Sequence, residues 1–354
     1  MQRDDIRLAL PSKGRLADDA LDFLGACGLK VYRPNPRQYA ATIPALPGLT
    51  VMFQRPGDIA VGVRQGSVDL GITGYDVFAE KQAGLNPGQE RAVLLLHDAL
   101  GFSPCRLALA VPEAWEMSAC VADLARLAGQ RQADGDSPLR VATRFPELTA
   151  RFLEEKAVVP YELVEVEGTL EIAPAVGYAD LIADLVSTGT TLRDNHLRQL
   201  EDGTIVESQA ILIANRDALR RRPAVLEVAR QLIEYVEAHL RAQDCFLVFA
   251  NMRGDSAQEI ASRMFAHPGL SGLQGPTISP IVPNNGAASD SASWYAVNLI
   301  VRKERLAPTI ASLRAVGGSG VVVTPVAYIF EEEPARYRAM LAALEEEAVH
   351  VTDH

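Results

Sequence analysis

The first half of the chain alternates short apolar runs with amphipathic segments. The apolar runs predict strands at Ile6–Leu10, Val51–Phe53, Asp69–Thr73, Arg106–Val111 and Leu139–Thr143, and the amphipathic segments predict helices at Ala17–Cys27, Ile59–Gln65 and Glu147–Glu155. The polar, turn-rich stretch 130–137 predicts a surface insertion. Strands that alternate with helices favour largely parallel sheets, whose ligand-binding loops lie at the carboxyl ends of the strands. We therefore expect an α/β fold.

The last third of the chain has a different and more regular pattern. A connector helix with an apolar stripe is predicted over residues 223–243. The order βαββαβ, which is the ferredoxin-like motif, is predicted after it from Cys245–Asn251, Ala257–Phe265, Pro276–Val282, Trp294–Val301, Leu306–Val316 and Gly320–Phe330. The Gly-, Asn-, Ser- and Asp-rich residues 283–293 predict a hairpin loop that is longer than usual. We therefore expect a small domain over residues 244–332, followed by a helix or tail over residues 333–354.

Composition and charge exclude several classes of function. The chain has 354 residues, enough for two or three domains, with 48% hydrophobic and 22% charged residues. No apolar run reaches the roughly 18 residues needed to cross a bilayer. The net charge is −11, and without a cluster of basic residues we expect no nucleic-acid or membrane partner. A polyphosphate ligand would therefore need a few local cations, backbone N–H groups and Mg²⁺.

The cysteines and the first residues bear on location. Cys27, Cys105, Cys120 and Cys245 are scattered without CxxC spacing, which favours a reducing compartment over a disulfide framework or a zinc site. The polar residues 1–5 are unlike a signal peptide. We expect a cytoplasmic protein.

The segment ADLIADLVSTGTTLRDNHL, residues 179–197, carries the richest chemical signal. An apolar run leads into Ser187, Thr188, Gly189, Thr190 and Thr191, and a helix is predicted to begin at Leu192. Consecutive backbone N–H groups, several hydroxyls and a helix start favour a phosphate-binding turn. The alternative is that Ser and Thr merely cap a helix.

Acidic residues precede this turn in unusual number. Glu171, Asp180 and Asp184 all lie within about 20 residues of it. A sugar with two free hydroxyls beside its phosphate would account for them, because ionised carboxylates accept hydrogen bonds well.

Two further segments are candidates for anion binding. In PSKGRL, residues 11–16, Lys13, Gly14 and Arg15 stand beside a predicted helix start and could meet nucleotide phosphates, or they could be solvated loop residues. The stretch QRPGDIAVGVRQGSVDLGITGYD, residues 54–76, adds Arg55, Asp69 and Thr73 near the ends of strands. Neither segment contains a nucleophile–base pair, so covalent catalysis is not indicated.

Taken together, PSKGRL, DLGITGYD, EGTLEIAP and ADLIADLVSTGTTLRDN resemble the ATP phosphoribosyltransferase family in sequence, order and spacing. The last of these is similar to the family's signature for phosphoribosyl pyrophosphate (PRPP). GPTISPIV and WYAVNLIVRKE are similar to the regulatory domain of long-form members. The resemblance covers about residues 5–330.

The resemblance implies two catalytic lobes similar to periplasmic binding proteins, with lobe I over residues 1–104 and 183–222 and lobe II over 105–182. In such an enzyme N1 of ATP attacks C1 of the ribose of PRPP, and pyrophosphate leaves with Mg²⁺ bound to it. The 5′-phosphate would lie in the turn 187–191. The catalytic residues would be Glu171, Asp180 and Asp184, with Glu171 and Asp184 on the ribose hydroxyls and Asp180 supporting the turn. ATP would lie near Lys13, Gly14, Arg15, Arg55, Asp69 and Thr73.

The resemblance also implies regulation and assembly. Long-form members bind histidine in the C-terminal domain, here around Leu273 and Thr277, are inhibited by histidine and AMP, and form homodimers and homohexamers. This chain departs from the usual pattern at residues 249–252, 268–277 and 283–293.

Two other functions are compatible with parts of the pattern. A solute receptor shares the two-lobed architecture but would not need the grouping of Glu171, Asp184 and STGTT. A phosphoribosyltransferase for another base could share the DLVSTGTTL turn, although PSKGRL and DLGITGYD favour ATP.

Overall fold

The computed structural model describes residues 5–35, 38–115, 120–166, 169–267, 269–270, 275–282 and 293–351. The chain divides into two compact units, one formed by Met1–Val236 with Glu333–His354 and the other by Glu237–Glu332. The first unit contains two α/β lobes, and the second is a sheet with two helices in the order βαββαβ. The predicted fold class, a two-lobed α/β core with a ferredoxin-like C-terminal domain, is confirmed.

Lobe I is built on strands that are buried on both faces. Its elements are β1 (Ile6–Pro11), α1 (Arg15–Ala26), β2 (Ala40–Thr42), β3 (Leu49–Gln54), α2 (Pro56–Gln65), β4 (Leu70–Gly74), α3 (Tyr75–Ala83) and β5 (Val93–His97). Leu8 and Leu70 are fully buried, as expected for apolar runs in central parallel strands. A later strand, β11 (Ala210–Asn215), pairs antiparallel with both β4 and β5. The sheet order is β2-β3-β1-β4-β11-β5.

Lobe II forms its own sheet and core. Its elements are β6 (Cys105–Pro112), α4 (Val121–Asp134), β7 (Leu139–Thr143), α5 (Pro146–Glu155), β8 (Tyr161–Val164), β9 (Leu181–Val186), α6 (Thr190–Asp194) and β10 (Leu197–Ser208). The sheet order is β10-β6-β9-β7-β8, with β7 parallel to β9 and β6 antiparallel to it. Leu109, Val141 and Leu181 from neighbouring strands pack with Phe152 of α5 in one buried cluster.

Two crossover segments join the lobes, and they are hydrogen-bonded to each other. One runs from β5 to β6 and the other passes through Gln209 between β10 and β11. Leu100 N donates to Ala210 O at 3.0 Å, and Ala210 N donates to Phe102 O at 3.1 Å. The predicted return to lobe I at residue 183 is therefore wrong. Because β9 and β10 pair within the second sheet, the chain returns only at Gln209.

The remaining elements lead to the C-terminal unit and back. They are α7 (Arg216–Arg221), α8 (Pro223–Ala242), β12 (Cys245–Gly254), α9 (Ala257–Phe265), β13 (Thr277–Pro280), β14 (Ser293–Arg302), α10 (Leu306–Ala315), β15 (Ser319–Pro325) and α11 (Ala335–Val351). The C-terminal sheet has the order β13-β14-β12-β15. Side chains from one face of this sheet pack with Ile260 of α9 and Leu313 of α10. Helix α11 rejoins the first unit, where Arg336 pairs with Asp98 at 2.6 Å.

Two local predictions need correction. The predicted insertion 130–137 is helical as far as Asp134, because α4 continues until Gly135 adopts a left-handed conformation with φ of 77° and ends it. The predicted last strand stops at Pro325, which pairs with Phe246 near the start of β12 and leaves little partner strand beyond it. The predicted loop 283–293 lies outside the described residues except for Ser293. Of the helices described, none is long and apolar enough to cross a membrane.

A buried ion pair fixes the start of α8 to the sheet of lobe I. Asp69, only 1% exposed, precedes β4, and its two carboxylate oxygens accept hydrogen bonds from Arg222 Nη1 at 2.7 Å and Arg7 N at 2.9 Å. Arg222 Nη2 also donates to Asp5 O at 2.8 Å. The pair therefore joins β1, β4 and the entry to α8.

Replacing Asp69 with Ala is expected to destabilise the first unit by about 3–5 kcal/mol, because it leaves a guanidinium buried without its counter-charge. The measurement is the urea midpoint followed by circular dichroism. Asp22→Ala, at an exposed position on α1, is the control and should change stability by less than about 0.5 kcal/mol. Equal midpoints for the two variants would contradict the assigned role.

Candidate active site

The turn after β9 is shorter than predicted, because α6 begins at Thr190 rather than at Leu192. Gly189 adopts a left-handed conformation with φ of 75°, where a side chain would be strained, and α6 begins at the next residue. The hydroxyls of Thr188 and Thr190 are 3.0 Å apart and both residues are exposed. The turn therefore presents hydroxyls and backbone N–H groups to solvent at the carboxyl end of β9.

The structure brings most of the predicted PRPP residues together around one small cavity. Its volume is about 140 Å³, and the lining residues are Glu171, Asp184, Leu185, Val186, Ser187, Thr188, Gly189, Thr191 and Leu192. Two carboxylates thus lie beside a turn rich in hydroxyls. This arrangement offers acceptors for sugar hydroxyls next to donors for an anion.

Asp184 has an electrostatically unusual position. Burial raises the pKa of its carboxyl group, and the negative charge of Glu171 raises it further, while a hydrogen bond from Leu185 N at 2.8 Å and the positive charge of Arg144 oppose the shift. The net pKa is above the ordinary value. Asp184 therefore stays protonated to a higher pH than an exposed aspartate.

Sequence reasoning missed Arg144. It follows β7 directly, and Thr143 at the end of β7 is paired in parallel register with Ala183 of β9. Arg144 therefore leaves the sheet beside Asp184, and its side chain is exposed. The signal was available, because a cation at the end of one parallel strand lies next to whatever follows the neighbouring strand.

Asp180 is placed at the other end of β9. It accepts hydrogen bonds from Arg131 Nη1 at 3.0 Å, Arg140 N at 2.8 Å and Arg140 Nη2 at 3.3 Å. Burial by itself would raise the pKa of Asp180. The hydrogen bonds outweigh this effect, so the net pKa lies below the ordinary value. Since β9 rises by about 3.3 Å per residue, Asp180 lies far from the turn. The structure contradicts a catalytic role and assigns Asp180 to tying α4 and β7 to β9.

A second group of predicted residues lies at the carboxyl edge of the sheet in lobe I. Lys13, Gly14 and Arg15 follow β1, and Arg55 follows β3, its parallel neighbour. Ser12 N donates to Gln54 O at 2.8 Å, which holds the two strand ends together. Lys13, Arg15 and Arg55 are exposed, and the only described acid within ion-pair distance of Arg15 is Asp19 at 3.4 Å. Cations on neighbouring strand ends make this edge suitable for anions.

Two residues predicted to bind ATP do not reach this edge. Asp69 lies at the amino end of β4 and is occupied by Arg222 and Arg7 N. Thr73 is fully buried, and its hydroxyl donates to the carbonyl oxygen of Pro56 at 3.1 Å. The structure contradicts direct ligand contact for both and gives Thr73 the role of holding the start of α2.

The predicted histidine residues fall in the C-terminal unit. Leu273 lies outside the described residues. Thr277 begins β13 and lines a cavity of about 470 Å³, together with Arg241, Leu247, Gly275, Asn298, Leu299, Ile300, Arg302, Ile329 and Glu331. Asn298 Oδ1 is buried without a hydrogen-bond partner among the described residues. A buried acceptor without a partner suits a ligand that carries a hydrogen-bond donor.

The fold and the site define a two-lobed α/β protein in which a turn of amides and hydroxyls lies beside paired carboxylates. The chain belongs to the ATP phosphoribosyltransferase family. The family profile described as "HisG: ATP phosphoribosyltransferase" matches residues 55–238, and that described as "HisG, C-terminal domain" matches residues 242–328. The second profile identifies the chain as a long form.

Named relatives align with this chain along nearly its whole length. It is 45% identical over 346 residues to ATP phosphoribosyltransferase 1, chloroplastic, of Arabidopsis thaliana, covering 97% of this chain and 82% of the relative. It is 33% identical over 338 residues to ATP phosphoribosyltransferase of Bradyrhizobium sp. (strain ORS 278), covering 95% and 98%. A solved structure of the HisG:HisZ complex from Thermotoga maritima aligns with 25% identity, a TM-score of 0.48, and coverage of 66% of this chain and 98% of that one. The family profile and the two named relatives show that the protein is a phosphoribosyltransferase enzyme.

The two charges that flank Asp184 predict opposite shifts in the pH dependence of kcat/KM for the phosphoribosyl donor. Glu171→Gln removes a negative neighbour and lowers the pKa of Asp184, so the acidic limb should move to lower pH. Arg144→Ala removes a positive neighbour and raises that pKa, so the limb should move to higher pH. Ionisation of the substrates is the same in both assays. Shifts in the same direction would contradict the assignment of the limb to Asp184.

Proposed function

We propose that this enzyme transfers the 5-phosphoribosyl group from PRPP to N1 of ATP and releases pyrophosphate, the first step of histidine biosynthesis. The observation that carries the proposal is the 140 Å³ cavity, because it joins the acids Glu171 and Asp184 to the turn 187–191. The turn binds the 5′-phosphate, and the carboxylates accept hydrogen bonds from the two ribose hydroxyls. ATP binds near Lys13, Gly14, Arg15 and Arg55 at the edge of lobe I.

The chemistry asks the protein to align its substrates rather than to attack them. N1 of adenine forms a bond to C1 of the ribose as the bond from C1 to the pyrophosphate oxygen breaks, and the electron pair leaves with pyrophosphate. Alignment of two bound reactants is worth roughly 7–11 kcal/mol of the barrier. Fixed donors and cations stabilise the charge on the leaving group.

Mg²⁺ enters with the pyrophosphate of PRPP in this proposal. In such sites Mg²⁺ usually has one or two protein carboxylates together with substrate phosphates as its ligands. Glu171 and Asp184 fit that requirement. Mg²⁺ would supply neutralisation of the leaving pyrophosphate.

We also propose that histidine inhibits the enzyme through the 470 Å³ cavity and that AMP competes with ATP. Arg302 supplies a positive charge in that lining, Arg241 and Glu331 pair with each other there at 2.8 Å and can each also face a zwitterionic amino acid, and Asn298 Oδ1 suits the imidazole N–H. The opposite face of the sheet from α9 and α10 exposes Phe249, Trp294 and Val322, which supports association into homodimers and homohexamers.

Four free cysteines support a reducing compartment such as the cytoplasm.

The reaction is tested by incubating the enzyme with ATP, PRPP, Mg²⁺ and pyrophosphatase and following near-ultraviolet absorbance of the N1-substituted adenine. Thr188→Ala and Asp184→Ala should each lower kcat/KM for PRPP by about 10- to 100-fold, the loss of a hydrogen bond to a charged or strongly polar ligand group. Thr42→Ala and Asp136→Ala, at exposed positions outside the cavity, are the controls. No absorbance change with the wild type would refute the reaction, and near-normal turnover by the site variants would refute the assigned roles.

Histidine binding is tested by calorimetry. We expect the wild type to bind histidine below millimolar concentration, and Asn298→Leu to weaken binding by about tenfold because a buried acceptor in the lining is lost. Ser279→Ala, on β13 but outside the lining, should bind as the wild type does. Absence of heat at millimolar histidine would exclude this form of regulation.

A further inference from the structure

A buried carboxylate of lobe I caps a helix of lobe II. Glu80 of α3 is 6% exposed, and its Oε1 and Oε2 accept hydrogen bonds from Glu147 N and Leu148 N, each at 3.0 Å. These N–H groups lie in the first turn of α5, where no helical carbonyl is available to them. The residue that precedes α5, Phe145, supplies no side-chain cap. The cap therefore comes from the other lobe.

Helix α3 contacts lobe II near its first residues as well. Ser208, the last residue of β10, donates its hydroxyl hydrogen to Asp76 Oδ1 at 2.6 Å and accepts a hydrogen bond from Asp76 N at 2.9 Å. Both residues are buried. Asp76 and Glu80 lie one turn apart on α3, so this helix is held by hydrogen bonds to two separate elements of lobe II.

The capped helix is directly connected to the candidate active site. Only Arg144 and Phe145 separate the end of β7 from the start of α5. Within lobe II, Thr143 Oγ1 accepts a hydrogen bond from Phe145 N at 3.0 Å. The turn that carries Arg144 beside Asp184 is thus held from inside by Thr143 and from lobe I by Glu80.

Apolar packing between the same helices is incomplete. A cavity of about 540 Å³ lies between α3, α5 and β10, with Phe78, Ala79, Leu148, Phe152 and Val206 in its lining. Side chains around an open space of this size do not define one orientation of two helices. The hydrogen bonds of Glu80 and Asp76 are directional and do so.

We propose that Glu80 is a positioning residue that fixes the orientation of lobe II against lobe I and so sets the geometry between the Arg144–Asp184 edge and the ATP-binding edge. It acts through α5 and does not touch either substrate. Without the hydrogen bonds of Glu80, the lobes occupy other orientations for part of the time. The apparent affinity for substrates then falls in proportion to the fraction of molecules in the competent orientation. Saturating substrates restore the competent orientation, because they contact both lobes. This inference rests on the proposed reaction for its kinetic test.

The kinetic test is Glu80→Gln, which keeps the shape of the side chain and removes its charge. We expect KM for both substrates to rise about tenfold with kcat within about twofold of the wild type. Glu80→Asp, which keeps the charge but shortens the reach, should give a smaller rise in the same direction. Glu162→Gln makes the same chemical change at an exposed position on β8, away from the contact between α3 and α5, and should leave both constants unchanged. Unchanged KM, or a fall in kcat that follows the folded fraction, would overturn the proposal.

A second measurement does not depend on activity. In amide-resolved hydrogen exchange without substrates, Glu80→Gln should accelerate exchange along both residues 75–83 and residues 146–152 by about tenfold. Acceleration confined to the amides of Glu147 and Leu148 would show a local helix cap and overturn the positioning role, as would no change. If the wild type does not consume ATP and PRPP, the proposed reaction fails while the exchange result still decides the role of Glu80.

Discussion

Parallel pairing between β7 and β9 is the constraint on which the candidate site depends. The register sets Thr143 opposite Ala183, so Arg144, which follows β7, lies beside Asp184, two residues before the end of β9. The turn 187–191 continues from β9 at the carboxyl edge of the sheet. A shift by one residue would send Asp184 to the other face of the sheet, since side chains alternate along a strand. The pairing therefore determines which charges surround the 140 Å³ cavity.

The electrostatics of this edge place opposing demands on a ligand. Glu171 and Asp184 repel an anion and raise the pKa of Asp184, while the adjoining turn offers only amides and hydroxyls, and α6 is five residues long. A phosphorylated sugar satisfies both parts because its hydroxyls and its phosphate are separate groups. The extra negative charge of a pyrophosphate has no comparable set of donors in the 140 Å³ cavity. In the proposed reaction, this imbalance is the physical reason to expect Mg²⁺ on the leaving pyrophosphate.

The sequence predicted the fold class and the succession of strand, glycine turn and helix over residues 181–194 because both depend on local patterns. An apolar run followed by STGTT specifies a strand, a turn and a helix start within a few residues. Asp69, Asp180 and Thr73 were assigned wrongly because a polar residue near a strand is not necessarily at its carboxyl end. Asp69 and Asp180 precede their strands, where they bind arginines. Thr73 is at the correct end but points into the protein, and its partner Pro56 could not be known from spacing. The lobe boundary was also predicted wrongly, because the order of strands in a sheet does not follow from their order along the chain.

Glu80 shows why contacts between lobes are the least accessible to sequence reasoning. Its position in a helix gives no local reason for burial, and its partners lie 67 and 68 residues away. Burying a carboxylate is costly unless hydrogen bonds compensate it. Here two N–H groups and the amino end of α5 do so. That compensation exists only while the two helices keep one relative orientation, whereas the apolar side chains around the neighbouring cavity would tolerate others. A buried polar contact at this position therefore specifies an angle between lobes rather than simply holding them together.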